Sequence, residues 1–411
     1  MSNRRISFLN QSGHELSAVL ELPVDGKPLS FAVFAHCFTC SKDLRATRHI
    51  SRALTRSGFG VLRFDFTGLG GSEGDFSETT FSTNQGDLES ACEWLKTNYR
   101  APELLVGHSL GGTALLHTAS RLEGIKAIAT IGSPFDPAHV SHLFTDSKDQ
   151  INEEGDAEVS IGGRPFRINR AFLKDLERTD CTKLVSSLDA ALLILHSPVD
   201  TIVSIDNAAR LFKAARHPKS FVSLDTADHL LSKESDAVYA GSVLGAWAAK
   251  YLDAPSEVVK GKEEGSHLVT VKTGREHYYT EIIANGHNLV ADEPVELGGT
   301  NLGPTPYNLL LSSLGACTAI TVRMYADRKE WPLEDIQVDL VHSQVQASDC
   351  VDCNLPEGAK GRVYLLERKV RLIGDDLTPE MIKRIMEIAD RCPVHRTLVD
   401  QTVIKTKLVG A

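Results

Sequence analysis

A serine in a glycine-rich turn is the first residue of this chain whose setting could support covalent chemistry. Ser109 lies within Gly107–Gly111, directly after the apolar run Glu103–Val106 and directly before a helical pattern. Glycines at such a turn permit the strained strand-to-helix geometry that exposes a serine hydroxyl. The helix that follows offers backbone N–H groups and a positive dipole end to a developing oxyanion. This setting predicts Ser109 as a nucleophile, although many serines in glycine-rich turns have no chemical role.

Two further groups follow Ser109 in the order that such a nucleophile requires. Asp200 comes after the apolar run Ala191–Leu195, and His229 comes after the run that ends at Leu224. Both therefore lie where a sheet places a catalytic acid and base. Asp200 would orient the imidazole and stabilise the imidazolium, and His229 would take the serine proton. The alternatives are a turn aspartate and a surface histidine, but the common register favours catalysis.

Short apolar runs alternate with helical patterns through the first part of the chain. Amphipathic segments such as Leu44–Ser57, Leu110–Arg121 and Asp206–Ala215 separate several runs. This alternation predicts an α/β domain with a mostly parallel sheet and helices on both faces. The more polar stretch 136–188 interrupts the alternation and is expected to form a small cap. The predicted strands are Ser17–Leu22, Phe31–Ala35, Val61–Phe64, Glu103–Val106, Ala127–Ile131, Ala191–Leu195 and Ser220–Leu224.

The last part of the chain has a different order of elements. A charged linker with Gly and Pro, residues 255–265, follows the helical segment Ala237–Leu252. Strands are predicted first, then the long apolar helix Pro306–Arg328, two further strands and the helix Pro379–Arg391. A final strand is predicted over Thr402–Leu408. This order predicts an α+β domain over residues 266–411, after a first domain over 1–254.

Eight cysteines are too few for a disulfide scaffold in a chain of 411 residues. Cys37 and Cys40 form one Cys-x-x-Cys pair, for which two buried small residues are favoured over a metal or redox role. Cys350 and Cys353 form another on an expected loop, where zinc would need two more ligands that cannot be named. The sequence therefore predicts no metal site.

Composition disfavours several functions. The net charge is −10, so a nucleic-acid footprint is absent and anionic membranes are disfavoured. The first residues contain no apolar core of a signal peptide, and no apolar run approaches the length of a membrane span. No glycine-rich dinucleotide or phosphate loop is present, so no cofactor is predicted. We expect a cytoplasmic protein that acts on small molecules.

Residues 5–252 resemble the α/β-hydrolase family. Besides the turn at Ser109, the segment Phe64–Gly74 is similar to the family's Asp-x-x-Gly-x-Gly-x-Ser turn, and His36-Cys37-Phe38 is similar to its His-Gly-x loop. Here Cys37 stands where the family usually has glycine. The resemblance implies that the backbone N–H groups of Phe38 and Leu110 form the oxyanion hole.

Residues 266–410 resemble the OsmC-like proteins. The segments that carry this resemblance are Gly303–Ala319, with Cys317, and Ala389–Leu398, with Cys392. The resemblance implies that Cys317 attacks an organic hydroperoxide, that Cys392 then closes a disulfide and that an external thiol reduces it. It also implies a homodimer formed through this domain.

One position departs from the peroxidases of that family. They have a glutamate, paired with an activating arginine, where this chain has Tyr307. Arg275 is a weak candidate for the arginine, and without a cation Cys317 would stay an inert core cysteine. The leading prediction is a serine hydrolase fused to a thiol peroxidase. The alternative is a serine hydrolase whose second domain is a dimerisation or ligand-binding module.

Overall fold

The computed structural model describes residues 3–37, 40–161, 164–176, 181–252, 269–275, 277–347, 361–400 and 402–408. The chain divides into two compact units, residues 1–270 with 283–288 and residues 271–282 with 289–411. The predicted linker 255–265 lies outside the described residues. The predicted domain limits therefore stay predictions.

The first unit is built on an eight-stranded sheet in the order β1-β2-β4-β3-β5-β6-β9-β10. Strands β1 and β2 pair antiparallel, as do β2 and β4, and the remaining neighbours pair parallel. The predicted mostly parallel sheet is confirmed. The strands of this unit are β1 (Asn3–Leu9), β2 (Glu15–Glu21), β3 (Ser30–Ala35), β4 (Phe59–Phe64), β5 (Leu104–His108), β6 (Ala127–Ile131), β7 (Asp156–Ile161), β8 (Arg164–Asn169), β9 (Ala191–His196) and β10 (Lys219–Ser223).

Helices cover both faces of this sheet. Successive side chains of a strand point to opposite faces, and the middle of β5 shows the result. Leu105 belongs to one apolar cluster, while Leu104 and Val106 belong to the other, and all three are fully buried. The helices of this unit are α1 (Arg45–Arg56), α2 (Phe81–Asn98), α3 (Leu110–Ala119), α4 (Lys148–Glu154), α5 (Arg170–Leu176), α6 (Cys181–Ser186), α7 (Asp206–Ala214) and α8 (Glu234–Ala248).

The polar stretch between β6 and β9 forms separate small elements. The 3₁₀ helix Pro137–Ser147 is followed by α4, the antiparallel hairpin of β7 and β8, and then α5 and α6. Phe166 of β8 packs edge-to-face on Phe76, with the ring centroids 5.2 Å apart. Phe172 of α5 is buried in the same apolar cluster as Leu105. These elements therefore pack onto the sheet unit as an insertion, in the region where a cap is predicted.

The second unit has the predicted α+β order, with a small apolar core. Its strands β11, β12 and β13 form one sheet, and β14 and β15 form an antiparallel ribbon. The buried core cluster consists of Val322, Ala326, Leu333, Ile385 and Ala389. The elements that lie wholly or mostly in this unit are β11 (Val269–Thr273), β12 (Thr280–Ala284), β13 (His287–Ala291), α9 (Pro306–Arg328), β14 (Asp335–Gln346), β15 (Arg362–Ile373), α10 (Pro379–Ala389) and α11 (Pro393–Val399).

The prediction of a final strand is wrong for this single chain. Residues 402–408 have no regular secondary structure and are exposed, with Ile404 87% and Leu408 94% exposed. A strand needs a neighbour for its backbone N–H and C=O groups, and within the described residues this segment pairs with no strand. Its apolar side chains, Val403, Ile404 and Leu408, are therefore left uncovered.

Candidate active site

The turn between β5 and α3 holds Ser109 in a strained backbone conformation. Its φ is 55° and its ψ is −130°, which is rare for a residue with a side chain. The Ser109 N–H donates to the carbonyl of Ile131, with N and O 2.8 Å apart. Gly111 is required here because a Cβ would lie 2.3 Å from the carbonyl oxygen of His36. Close packing therefore fixes the turn in which Ser109 sits.

The structure brings the three predicted hydrolytic residues into one hydrogen-bonded chain. The Nε2 atom of His229 lies 3.0 Å from the Oγ of Ser109. The Nδ1 atom of His229 lies 2.7 Å from the Oδ2 of Asp200. Ser109 and Asp200 are each only 9% exposed. With the ring proton on Nδ1, Nε2 faces the serine as an acceptor, which is the arrangement that a general base needs.

The surroundings of Asp200 keep this carboxylate ionised. Its Oδ1 accepts hydrogen bonds from the backbone N–H groups of Ile202, at 2.8 Å, and Val203, at 2.9 Å. Burial acts to raise the pKa of Asp200, but the hydrogen bond and charge of His229, together with the two amides, hold that pKa below its usual value. Asp200 is thus suited to stabilise a protonated His229.

Gly132 leaves room for the contact between the acid and the base. Its φ is +54°, and a Cβ at this position would lie 3.3 Å from the Oδ2 of Asp200 and 3.4 Å from the Nδ1 of His229. A side chain would therefore press on the hydrogen bond between these two residues as well as strain the backbone.

Of the two predicted oxyanion donors, the structure describes one. Leu110 is the first residue of α3 and is buried. The first N–H groups of a helix have no partner within the helix, so the Leu110 N–H is suited to this role. Phe38 lies outside the described residues.

The cysteines that flank the Phe38 position differ from the sequence prediction. Cys37 and Cys40 form a disulfide, whereas two buried small residues without a metal or redox role are predicted. The Cys40 N–H donates to the Cys37 carbonyl, and this turn brings the two Cα atoms within 5.4 Å. That separation lies within the range a disulfide requires.

A buried ion pair anchors the end of the same loop, and sequence reasoning missed it. The Nζ of Lys42 lies 2.6 Å from the Oδ2 of Asp65, which also accepts from the Gly71 N–H. The Oδ1 of Asp65 accepts from the Lys42 N–H. Asp65 is fully buried and Lys42 is 8% exposed. Asp65 opens the Asp-x-x-Gly-x-Gly-x-Ser turn, so this pair ties that turn to the loop after β3. Nothing in the sequence around Lys42 indicated burial.

The structure also brings together the two predicted redox cysteines. The N–H groups of two successive residues in α11 point at the two sulfurs. The Val394 N–H donates to the Sγ of Cys317 at 3.5 Å, and the His395 N–H donates to the Sγ of Cys392 at 3.3 Å. Cys392 is fully buried and Cys317 is partly exposed.

Arg368 of β15 is a cation close to Cys392, and sequence reasoning missed it. Its guanidinium donates to Thr318 Oγ1 at 2.8 Å and to Asp390 Oδ1 at 2.6 Å. The Thr318 hydroxyl lies 3.6 Å from Cys392 Sγ. The predicted candidate Arg275 is exposed on the turn after β11. Arg368 could have been found as a charged residue in phase with Leu366, Val370 and Leu372 along an alternating strand.

At the position of the family glutamate, Tyr307 makes aromatic contacts. Its ring stacks on His342 with the centroids 4.2 Å apart, and its centroid lies 6.4 Å from that of the Tyr364 ring. Cys350 and Cys353 lie outside the described residues, and the part of the chain that is described contains no cluster of three metal-binding side chains.

Comparison with known proteins agrees with both halves of this description. The family model "Alpha/beta hydrolase family" matches residues 32–296, and "OsmC-like protein" matches residues 299–407. The crystal structure of the esterase domain from a Rhodothermus marinus protein is 52% identical, with a TM-score of 0.52, and the match covers 61% of this chain and 100% of that one.

More distant relatives include thioesterases. The chain is 25% identical over 238 residues to the mitochondrial palmitoyl-protein thioesterase ABHD10 of Mus musculus, covering 56% of this chain and 78% of that protein. The match to the Homo sapiens enzyme, also 25% identical, covers 44% of this chain and 55% of that protein. The structure of mouse ABHD10 shares the fold, with a TM-score of 0.51 at 20% identity, over 60% of this chain and 99% of that one. The chain therefore belongs to the α/β-hydrolase family, as an esterase- or thioesterase-like hydrolase domain followed by an OsmC-like domain.

Proposed function

We propose that the first unit is a serine hydrolase that cleaves an ester or thioester acyl bond through Ser109, His229 and Asp200. The observation that carries this proposal is the hydrogen-bonded chain from the serine hydroxyl through the imidazole to the buried carboxylate. Such a chain lets the serine attack a carbonyl while its proton passes to the ring.

In the first half of the reaction, the Oγ of Ser109 bonds to the acyl carbon and its proton moves to Nε2 of His229. Asp200 stabilises the imidazolium that forms. The Leu110 N–H, together with the proposed donor at Phe38, stabilises the oxyanion of the tetrahedral intermediate. His229 then protonates the leaving alcohol or thiol, and an acyl-serine remains.

In the second half, water attacks the acyl-serine. His229 takes a proton from the water, a second tetrahedral intermediate forms and collapses, and the proton returns to Oγ. The carboxylic acid leaves and Ser109 is restored.

The rim of this site favours an apolar acyl group. Three apolar residues next to the acid and base in sequence are exposed: Val199 by 55%, Ile202 by 43% and Leu230 by 41%. An apolar chain that covers them would gain about 0.8 kcal/mol for each methylene removed from water. The relatives named above act on palmitoyl-protein thioesters or are esterases, so we propose medium- to long-chain acyl esters and thioesters as the substrate class.

Two measurements test this proposal. A fluorophosphonate probe should label the wild-type chain, and mass spectrometry should locate the adduct on the peptide with Ser109. With p-nitrophenyl esters and acyl thioesters of graded length, kcat/KM should rise by up to about fourfold per buried methylene. The triple variant V199S/I202S/L230S should flatten that dependence and keep the adduct. Absence of labelling at Ser109 would contradict the nucleophile, and a flat profile in the wild type would contradict the apolar acyl group.

We propose, as the second activity, reduction of organic hydroperoxides at Cys317 and Cys392. The observation that favours it is that two successive backbone N–H groups of α11 donate hydrogen bonds to the two sulfurs. Arg368 is also close, through its hydrogen bond to Thr318. The Cys317 thiolate would attack the O–O bond, the alcohol would leave, and Cys317 would become a sulfenic acid. The Cys392 thiol would condense with it to a disulfide with loss of water, and an external dithiol would reduce that disulfide.

The redox pair can be tested by mass spectrometry. After cumene hydroperoxide, the wild type should contain a Cys317–Cys392 disulfide that dithiothreitol reverses. The Cys392→Ser variant should instead accumulate sulfenic acid at Cys317, because no thiol remains to condense with it. Cys181→Ser, at a buried cysteine of the other unit, serves as the control and should leave the disulfide intact. An unmodified Cys317, with peroxide consumption equal to that of Cys317→Ser, would leave the alternative of a non-catalytic binding or dimerisation module, which Tyr307 in place of glutamate favours.

We also propose that the chain forms a homodimer through its second unit. Helix α9 has 23 residues, and only 22% of its most apolar 18-residue window is buried, at a mean hydropathy of 1.4. Ile320 and Met324 on this helix are 59% and 68% exposed. By length and composition alone, α9 is also long and apolar enough to cross a membrane. A protein partner is favoured because the apolar segment 402–408 of the same unit pairs with no strand among the described residues and would gain a strand neighbour from it. A second copy would cover the helix and supply that neighbour.

A further inference from the structure

A buried histidine next to the nucleophile contacts the loop that carries the base. The Nε2 atom of His108 lies 2.7 Å from the backbone carbonyl oxygen of His229, and the two rings lie 5.1 Å apart. His108 ends β5 and is 3% exposed. One side chain therefore connects the strand that presents Ser109 to the backbone of His229.

This contact falls on a loop with a strained backbone. Asp225 and Leu231 have φ values of 44° and 48°, a region that aspartate tolerates but that a branched residue such as leucine rarely adopts. The loop between them contains His229. Such conformations persist only where surrounding contacts fix them. The contact at His108 lies in the middle of this loop, and the Ser197 hydroxyl holds its start by donating to the Asp225 carbonyl at 3.0 Å.

The protonation of His108 follows from its partner. A carbonyl oxygen only accepts, so Nε2 of His108 must carry a proton. Burial, followed by the charge of His229, lowers the pKa of His108 to about 3. At neutral pH the ring is therefore an uncharged donor, and it adds no positive charge next to a base that must itself become positive.

We propose that His108 is a positioning residue for the hydrolytic reaction: by donating from Nε2 to the His229 carbonyl, it holds the imidazole of His229 at hydrogen-bond distance from Ser109. This inference rests on the proposed serine-hydrolase function. His108 does not touch the reacting atoms, so its effect should be on the rate of acylation and not on substrate binding.

The position of the donor atom provides a sharp test. In His108→Gln the amide nitrogen takes about the place of Nε2 and can still donate, whereas in His108→Asn the amide is too short to reach. His108→Leu removes the donor and keeps an apolar filler. His117→Leu is the matched control, because His117 is also buried, at 6% exposure, and contacts Cys181 instead of the site.

We expect kcat for a p-nitrophenyl ester to fall by about 10- to 100-fold in His108→Leu and His108→Asn, because misplacement of a reacting group by about 1 Å costs up to about 100-fold. KM should stay within about threefold, since substrate contacts are unchanged. His108→Gln should recover most of the rate, and His117→Leu should keep it. The rate at which the fluorophosphonate labels Ser109 should fall in parallel with kcat.

Each outcome decides for or against the proposal. Equal rates in the Gln and Asn variants, whether both fast or both slow, would overturn it, as would a loss that appears only in KM. If His108→Leu does not fold, as judged by circular dichroism, the comparison of Gln with Asn still decides. A failure of the proposed function is distinguishable, because Ser109→Ala would then keep its activity whatever the His108 variants do.

Discussion

At the scale of single residues, the hydrolytic site depends on atoms whose protonation is fixed by their neighbours. The two amides on Asp200 and its hydrogen bond to His229 keep the carboxylate charged. The charged carboxylate in turn fixes the tautomer of His229, so that Nε2 faces Ser109 without a proton. In the proposed reaction, the role of Asp200 is therefore to select one tautomer of His229.

Replacing that acid by its amide should separate geometry from charge. Asp200→Asn keeps the shape of the side chain but can donate to Nδ1, which favours the wrong ring tautomer. We expect kcat to fall by about 10³- to 10⁴-fold at neutral pH, as in other serine hydrolases with this change. Asp206→Asn, at the exposed start of α7, is the control and should keep full activity. A loss below about tenfold at Asp200 would show that the acid does not govern the base.

At the scale of elements, the site depends on the contacts that fix its loops next to the sheet. The loop after β3 has the Cys37–Cys40 disulfide at its start and the ion pair of Lys42 with Asp65 at its end. The disulfide and the ion pair both lie in the segment of the sequence that contains Phe38, the proposed oxyanion donor. Cys37, Cys40 and Lys42 are thus fixed by contacts outside the regular elements.

Removing one partner of the buried pair should destabilise the fold. Lys42→Met leaves the Asp65 carboxylate buried without its countercharge, and we expect the free energy of unfolding to fall by about 3–5 kcal/mol. Lys96→Met removes an exposed pair with Glu93 and should change it by less than about 1 kcal/mol. Urea unfolding of both variants, followed by circular dichroism, provides the comparison. Equal stabilities of the two variants would contradict a structural role for the buried pair.

The sequence predicted the candidate catalytic residues better than the contacts that hold their loops in place. Ser109, Asp200 and His229 could be found because each follows a predicted strand, and the sheet then brings strand ends together. Lys42 and His108 could not be placed, because their partners lie 23 and 121 residues away in sequence and no local pattern marks either contact. Arg368 was missed although its position in phase with the apolar residues of β15 was visible in the sequence. The strand predicted over 402–408 failed for the opposite reason: the local pattern is present, but a strand also needs a neighbour, which this single chain does not provide.

At the scale of the whole molecule, the two units differ in how well they bury apolar surface. The sheet unit has two large buried clusters, one on each face. Among the residues that the structure describes, the second unit has one small cluster and leaves much of α9 and residues 402–408 uncovered. A domain of this size with so small a core is expected to need further burial, which is the basis for the proposed dimer.

A charge on the exposed face of α9 should prevent that association. The wild type should have the mass of a dimer in multi-angle light scattering at micromolar concentration. Ile320→Glu should shift it towards the monomer, because burying an unpaired carboxylate is costly. Tyr239→Glu, at a position 51% exposed on α8, is the control and should leave the dimer intact. A wild-type monomer at these concentrations would contradict the proposal.

The central claim is that Ser109 and His229 act as one unit in acyl transfer, and a double-mutant measurement tests it most directly. With a p-nitrophenyl ester, Ser109→Ala and His229→Ala should each lower kcat by about 10³-fold or more, and the double variant should be hardly slower, because either change alone disables the same step. All three variants should keep the circular dichroism of the wild type. Near-normal turnover in Ser109→Ala, or losses that multiply in the double variant, would contradict the account.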